Sequence, residues 1–203
     1  QTHKFEADTG KILNIVINSL YSDRDIFLRE LLSNASDAIH KRKFIGQTDQ
    51  SVLNSNADEI IVTIDEKKKT VEIKDTGIGL NAADLTETLG TIARSGTSSF
   101  LDSIEADGDT KDAAKTLIGK FGVGFYSAFM VAEKVIVTTR KAGEEAINVW
   151  ESDGQSGYTI SSSETDHDVG TSIKLFLRKD AKEYADKSKI RSLIKKYSDH
   201  IMV

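Results

Sequence analysis

"FLRELLSNASDA", residues 27–38, carries two patterns at once. Phe27, Leu28, Leu31, Leu32, Ala35 and Ala38, continued by Ile39, recur at helical spacing and form one broad apolar stripe. Glu30, Asn34 and Asp37 fall within about 60° of one another on the same helix, at the border of that stripe. Just upstream, Ser22 followed by Asp25 is a candidate capping box for the helix start. The polar border reads either as the solvated edge of an amphipathic helix or as a site. In a site, Asn34 would offer an amide oxygen to a hard cation, and Glu30 a carboxylate to orient or deprotonate a water.

Outward from this helix the periodicity changes. "TGKILNIVINSLYS" before it has helical spacing through Ile12, Ile15, Val16 and Leu20, and "GQTDQSVLNSNADE" after it is a polar loop. "EIIVTIDEKKKTVEIKDTGIG" alternates on both sides of "EKKK". Ile60, Val62 and Ile64 oppose Ile61, Thr63 and Asp65, and Val71 and Ile73 repeat the pattern, which predicts a β-hairpin. "NAADLTETLGTIA" predicts a helix with Asn81 as N-cap. Residues 94–124 lack firm periodicity, which inside a domain marks a lid or binding loop. A short helix, "YSAFMVA", then precedes four alternating runs, "KVIVTTR", "AINVWES", "GYTISSS" and "TSIKLFLR". A last helix is predicted through "KEYADKSKIRSLIKKYSDH". The expected fold class is α+β, with helices on one face of a mostly antiparallel sheet.

Composition narrows the function. A chain of 203 residues suits one domain and can bury a core without cross-links. Lys and Arg total 27 against 32 Asp and Glu, a balance of −5 that argues against nucleic acid or an anionic membrane as main partner. With no Cys, disulfides and thiolate metal sites are excluded, and no apolar run approaches the roughly 20 residues of a membrane span. The start has no signal-peptide pattern. Proline is absent, so turns rely on Gly, Asn, Asp and Ser. His3, His40, His167 and His200 lack ligand spacing, "EKKKT" reads as a solvated turn, and Trp150 reads as core or edge packing.

Three further motifs join the Glu30 and Asn34 pair. In "KDTGIGL", residues 74–80, Asp75 ends a strand, and Gly77 and Gly79 leave bare backbone beside it. That is either a tight turn or a carboxylate placed to accept from the exocyclic amine of a flat base. In "GKFGVGF", residues 119–125, Gly119, Gly122 and Gly124 open a helix whose free N–H groups would attract phosphate, or they are simply packing glycines. "GTS", residues 170–172, opens the last strand with a hydroxyl that could support Asp75 or cap a turn.

Taken in order, "SLYSDRDIFLRELLSNASDA", "DTGIGL", "LGTIARSGT", "IGKFGVGFYSAF" and "GTSIKL" resemble the N-terminal ATP-binding domain of the heat shock protein 90 chaperones, nearest the bacterial branch. The resemblance spans essentially the whole chain, 1–203. It implies the two-layer α/β sandwich of the GHKL ATPases (the Bergerat fold), with a lid at about 90–120. It implies ATP and ADP as ligands with Mg²⁺. Glu30 matches the general base, and Asn34 the residue that holds Mg²⁺ between the phosphates. Asp75 matches the acceptor for the adenine amine, helped by Gly79 and Thr171 through water, and Ala38 and Leu80 match walls of the base slot. Gly119, Phe121, Gly122, Val123, Gly124 and Phe125 match the phosphate cradle, and Arg94 matches a nearby cation.

The implied partners are client proteins and co-chaperones, with a homodimer formed through a C-terminal domain and no role for nucleic acid or membrane. The implied location is the bacterial cytoplasm, with the mitochondrial matrix second. Leu80, Thr88, Arg94 and Lys120 depart from the residues usual in the family. The alternatives are another GHKL ATP domain, such as that of a histidine kinase, and a non-catalytic binding module. "SLYS" and "FGVGFYSAF" favour the chaperone, and the joint presence of Glu30, Asn34, Asp75 and the glycine loop disfavours the binding module.

Overall fold

The computed structural model describes residues 2–3, 24–53, 57–90 and 124–197. The segment 9–22 that reads as a first helix, and most of the lid region, lie outside the described residues. The elements are β1 (Thr2–His3), α1 (Ile26–Gly46), β2 (Ile60–Asp65), β3 (Thr70–Asp75), α2 (Ala82–Thr88), β4 (Ala132–Arg140), β5 (Ile147–Ser152), β6 (Tyr158–Ser163), β7 (Gly170–Leu177) and α3 (Lys187–Tyr197). Short 3₁₀ helices cover Gln50–Val52, Gly124–Met130 and Lys179–Tyr184.

All strands pair antiparallel in one sheet, in the order β1-β6-β5-β4-β7-β3-β2. Alternation decides the faces. Val71, Ile73, Val135, Val137, Trp150, Ile173 and Leu175 point inward and are buried. Phe27, Leu28, Leu31 and Leu32 of α1, with Phe125, Tyr126 and Phe129 of the 3₁₀ segment, cover that same core. Burying each large apolar side chain contributes roughly 1.5–3 kcal/mol, so this one interface holds the layers together. The architecture is therefore α+β, helices over one face of an antiparallel sheet, as the pattern predicted. Trp150 is core, with no exposed surface.

The hairpin turn shows local chemistry overriding composition. Asp65 Oδ1 accepts from the backbone N–H of Lys67 at 3.0 Å and of Lys68 at 2.9 Å, and Lys69 turns the chain with φ of 54°. The run of lysines is solvated, as expected.

Three expectations need correction. Asp25, expected as the third helical residue of a capping box with Ser22, is itself the N-cap of α1, and its carboxylate accepts from Tyr184 Oη at 2.8 Å; Ser22 lies outside the described residues. "YSAFMVA" forms no α-helix. Gly124–Met130 is a 3₁₀ helix, every residue of it buried, tightened by Ser127 Oγ donating to the Gly124 carbonyl at 2.5 Å, and Ala132 already belongs to β4. The last helix is broken. Lys179–Tyr184 forms a 3₁₀ turn, and α3 starts afresh at Lys187 because Asp186 Oδ1 accepts from the Lys189 N–H at 2.7 Å, an N-cap bond.

Candidate functional site

The C-terminal ends of β3 and β4 and the start of β7 meet at one edge of the sheet. Register sets Asp75 opposite Thr171, and Thr171 opposite Thr139. α1 runs above them. The ends of α1, β3 and β4 are stitched by backbone bonds: Ile78 N donates to the Ala38 carbonyl at 3.1 Å, and Ala142 N donates to the Ile78 carbonyl at 2.8 Å. Arg42, buried in α1, donates to the carbonyls of Val52 at 2.5 Å and Thr76 at 2.9 Å, so a charged side chain anchors the turn after β3.

Between these elements lies a cavity of about 270 Å³. Its walls are Ala35, Ala38, Ile78, Leu80, Val137 and Ile173, with Leu89 and Phe125 at one end. Its polar groups are Asp75, Thr171, Thr88 and Asn34. Asp75 is 4% exposed. Its Oδ1 accepts from the Gly77 N–H at 2.8 Å, and its carboxylate also accepts from the backbone N–H of Thr171. Burial nonetheless dominates those two bonds and pushes the carboxyl up to about 7.

Glycine is required in two places around it. Gly79 has φ of +69°, and a Cβ there would run into the Arg140 carbonyl. Gly77 packs so closely on Ala38 that a Cβ would come within 2.5 Å of the alanine methyl. The two glycines let the chain close on its own neighbours, and the cavity beside them sets apolar walls around a buried acceptor, chemistry that suits a flat base.

The border trio of α1 separates. Asn34 is exposed at the cavity mouth and lines it. Glu30 sits one turn back, buried, with Oε1 accepting from Arg29 Nη2 at 2.9 Å and Nε at 3.2 Å. Its Oε2 lies over Gly124, where a Cβ would approach to 2.6 Å. Asp37 is exposed and outside the lining.

The structure thus brings Asn34, Ala38, Asp75, Gly79, Leu80, Phe125 and Thr171 to one cavity and sets Glu30 against Gly124 beside it. Arg94, Gly119, Phe121, Gly122 and Val123 lie outside the described residues. Gly124 does open a helical turn, but a seven-residue 3₁₀ one, which carries less of the dipole that a longer α-helix would aim at phosphate.

Several residues of the site escaped the sequence reading. Ala35, Ile78, Leu89, Val137 and Ile173 read only as core positions, and nothing in their spacing marks a cavity. Thr139 is the sharper omission. It is fully buried, and its Oγ1 accepts from the Leu80 N–H at 2.9 Å and stands 3.0 Å from both the Gly170 carbonyl and Thr171 Oγ1. A hydroxyl at an inward position of an otherwise apolar strand was the available signal. Thr88, by contrast, spends its hydroxyl on its own helix, donating to the Asp84 carbonyl at 2.6 Å.

The candidate partners for a ligand follow from this donor set. A buried acceptor among apolar walls fits a purine base carrying an exocyclic amine. Asn34 at the mouth offers an amide oxygen, and no cluster of three or more acidic, His or Cys residues that would hold a metal alone exists among the described residues. No helix of the described residues is long and apolar enough to cross a membrane.

Comparison with known proteins agrees with this chemistry. The family described as "Histidine kinase-, DNA gyrase B-, and HSP90-like ATPase" matches residues 25–175. The chaperone protein HtpG of Rickettsia massiliae (strain Mtu5) is 49% identical over 201 residues, covering 98% of this chain and 32% of that protein. HtpG of Wolinella succinogenes is 50% identical over the same shares, and HtpG of Rickettsia prowazekii (strain Madrid E) 48%. The chain spans about a third of the length of the curated relatives it matches.

Proposed function

Because the chain belongs to the family of histidine kinase-, DNA gyrase B- and HSP90-like ATPases, we propose that residues 1–203 form the N-terminal ATP-binding and ATP-hydrolysing domain of a molecular chaperone. Its nucleotide cycle would drive the conformational changes that assist protein folding. The observation that carries the reading is Asp75: its carboxylate is buried in an otherwise largely apolar cavity, at a cost that its two backbone hydrogen bonds do not offset.

In this reading the adenine amine donates to Asp75, and the ring lies between Ala38 and Leu80, with Gly79 at the rim and Thr171 beside the carboxylate. Asn34 is the residue that would hold Mg²⁺, which when bound supplies positive charge to the phosphate oxygens. Glu30 would orient and deprotonate the attacking water through Oε2, while Arg29 holds Oε1. Hydrolysis of this kind is mostly positioning and electrostatics. Gly119, Phe121, Gly122, Val123, Gly124 and Phe125 would line the phosphates, Arg94 would add charge, and about 90–120 would close as a lid.

A middle and a C-terminal region of the whole protein would complete the active site and dimerise the chain. We therefore expect weak turnover from this domain alone. Client proteins and co-chaperones are the proposed partners, and the bacterial cytoplasm the proposed location. The test is titration calorimetry of Mg·ATP and Mg·ADP into the wild type and Asp75→Asn. Binding only by the wild type supports the reading; absence of binding by both sinks it.

A further inference from the structure

Thr139 shares one proton among three oxygens, and counting hydroxyl protons settles how the cavity presents Thr171. Thr139 Oγ1 already accepts from the Leu80 N–H. Its single proton faces two oxygens at 3.0 Å, the Gly170 carbonyl and Thr171 Oγ1. A carbonyl can only accept. If the proton went to Thr171, the Gly170 carbonyl and Thr139 Oγ1 would be two buried oxygens at 3.0 Å with nothing between them, an unfavourable contact away from water. The arrangement that satisfies every atom has Thr139 donating to Gly170 and Thr171 donating to Thr139. Thr171 then turns only lone pairs towards the cavity. Above about pH 7, where Asp75 beside it is ionised, the carboxylate offers only acceptor oxygens, so the floor of the slot is acceptor-only there.

We propose that Thr139 is a positioning residue for base selection: its hydroxyl consumes the Thr171 proton and so biases the pocket towards a 6-amino purine over a 6-oxo purine. This rests on the nucleotide reading above. A 6-amino group presents two N–H donors to an acceptor-only floor, directly or through a water. A 6-oxo group presents lone pairs to lone pairs, and a site built to accept hydrogen bonds rejects such an analogue strongly. Without the Thr139 hydroxyl, the Thr171 hydroxyl is free to rotate and donate into the cavity, which would relax the discrimination. The Leu80 N–H bond gives Thr139 a second effect on the slot wall, but that effect acts on both bases alike.

The experiment measures Kd for Mg·ADP and Mg·IDP at about pH 8.5, where Asp75 is ionised, in the wild type, Thr139→Val and Thr139→Ser, with far-UV dichroism and thermal melting as folding controls. ADP and IDP differ in the group at position 6 and in the ring proton at N1. We expect Thr139→Val to lower the ADP-over-IDP ratio by about tenfold, chiefly by tightening IDP relative to ADP, and Thr139→Ser to restore it. A merely structural role would weaken both ligands and leave the ratio alone; that result overturns the proposal. Should Thr139→Val not fold, Thr171→Val removes the oriented acceptor directly, and an unchanged ratio there overturns it equally. If the wild type binds neither nucleotide, the nucleotide reading falls and this inference with it, whereas wild-type preference that persists in Thr139→Val removes only the inference.

Discussion

Asp75→Asn should change stability with opposite sign at low and high pH. Asp75 is held at about 7 in the folded chain against 3.8 for the free side chain, because burial penalises its charge. A raised carboxyl pKa makes the protonated fold the favoured one. Its contribution is fully present below the unfolded value near 4 and is lost as pH rises through about 7. The whole span costs ~4 kcal/mol once the group is ionised, at 1.36 kcal/mol per pKa unit. Asn is neutral at every pH and escapes that cost. Its single amide oxygen replaces two carboxylate oxygens as acceptor for the Gly77 and Thr171 N–H groups, a weakening worth roughly 1–3 kcal/mol.

The variant should therefore be less stable than the wild type near pH 4 and more stable at pH 8. Between pH 5 and pH 8 the difference should move by ~2–3 kcal/mol in favour of Asn. Urea unfolding followed by fluorescence of Trp150, the single tryptophan and fully buried, reads this directly. A stability difference that stays constant across this range would falsify the account of Asp75 as a destabilising group kept for binding. The same variant should lose Mg·ADP binding throughout.

Other expectations use separate parts of the site. Glu30→Gln should retain nucleotide affinity within a few-fold while turnover falls by 10²-fold or more, measured by phosphate release with the calorimetric Kd alongside; parallel losses would remove Glu30 from the chemistry. Gly124→Ala should reproduce much of that turnover loss, because its methyl would meet Glu30 Oε2 at 2.6 Å and displace it; unchanged phosphate release in the alanine variant would refute the packing argument. Gly79→Ala combines φ of +69° with a collision at the Arg140 carbonyl, and should cost ~2 kcal/mol or more in urea unfolding and weaken ADP binding. Arg42→Met leaves the carbonyls of Val52 and Thr76 without their donor, so a loss of roughly 2–4 kcal/mol is expected, with a weaker ADP response because the turn after β3 loosens.

The sequence by itself determined what depends on neighbours along the chain. Period-2 alternation set β2 and β3 and the four runs that became β4 to β7, because a strand has one wet and one dry face whatever it pairs with. The stripe from Phe27 to Ile39 set α1 and its buried side, and Asn81 with Asp84 set the start of α2 through a capping box that is complete within four residues. Asp75, Gly79 and Asn34 stood out because each breaks a local rule: a carboxylate ending an inward strand position, a glycine outside a regular element, an amide beside an apolar stripe.

Only the tertiary structure decided which of these meet. Asp37 matched Asn34 in spacing, yet it points to solvent because the sheet lies on the other side of the border. Asp25 became the N-cap of α1, with its carboxylate on a distant partner, Tyr184, 159 residues away in sequence. Tight burial against α1 made the 124–130 segment a 3₁₀ helix where composition suggested an ordinary one. Thr139 acquired its place through bonds to Leu80, Gly170 and Thr171, from two separate stretches of chain. Hydroxyl direction is a property of a closed network of protons, and no window of sequence contains such a network.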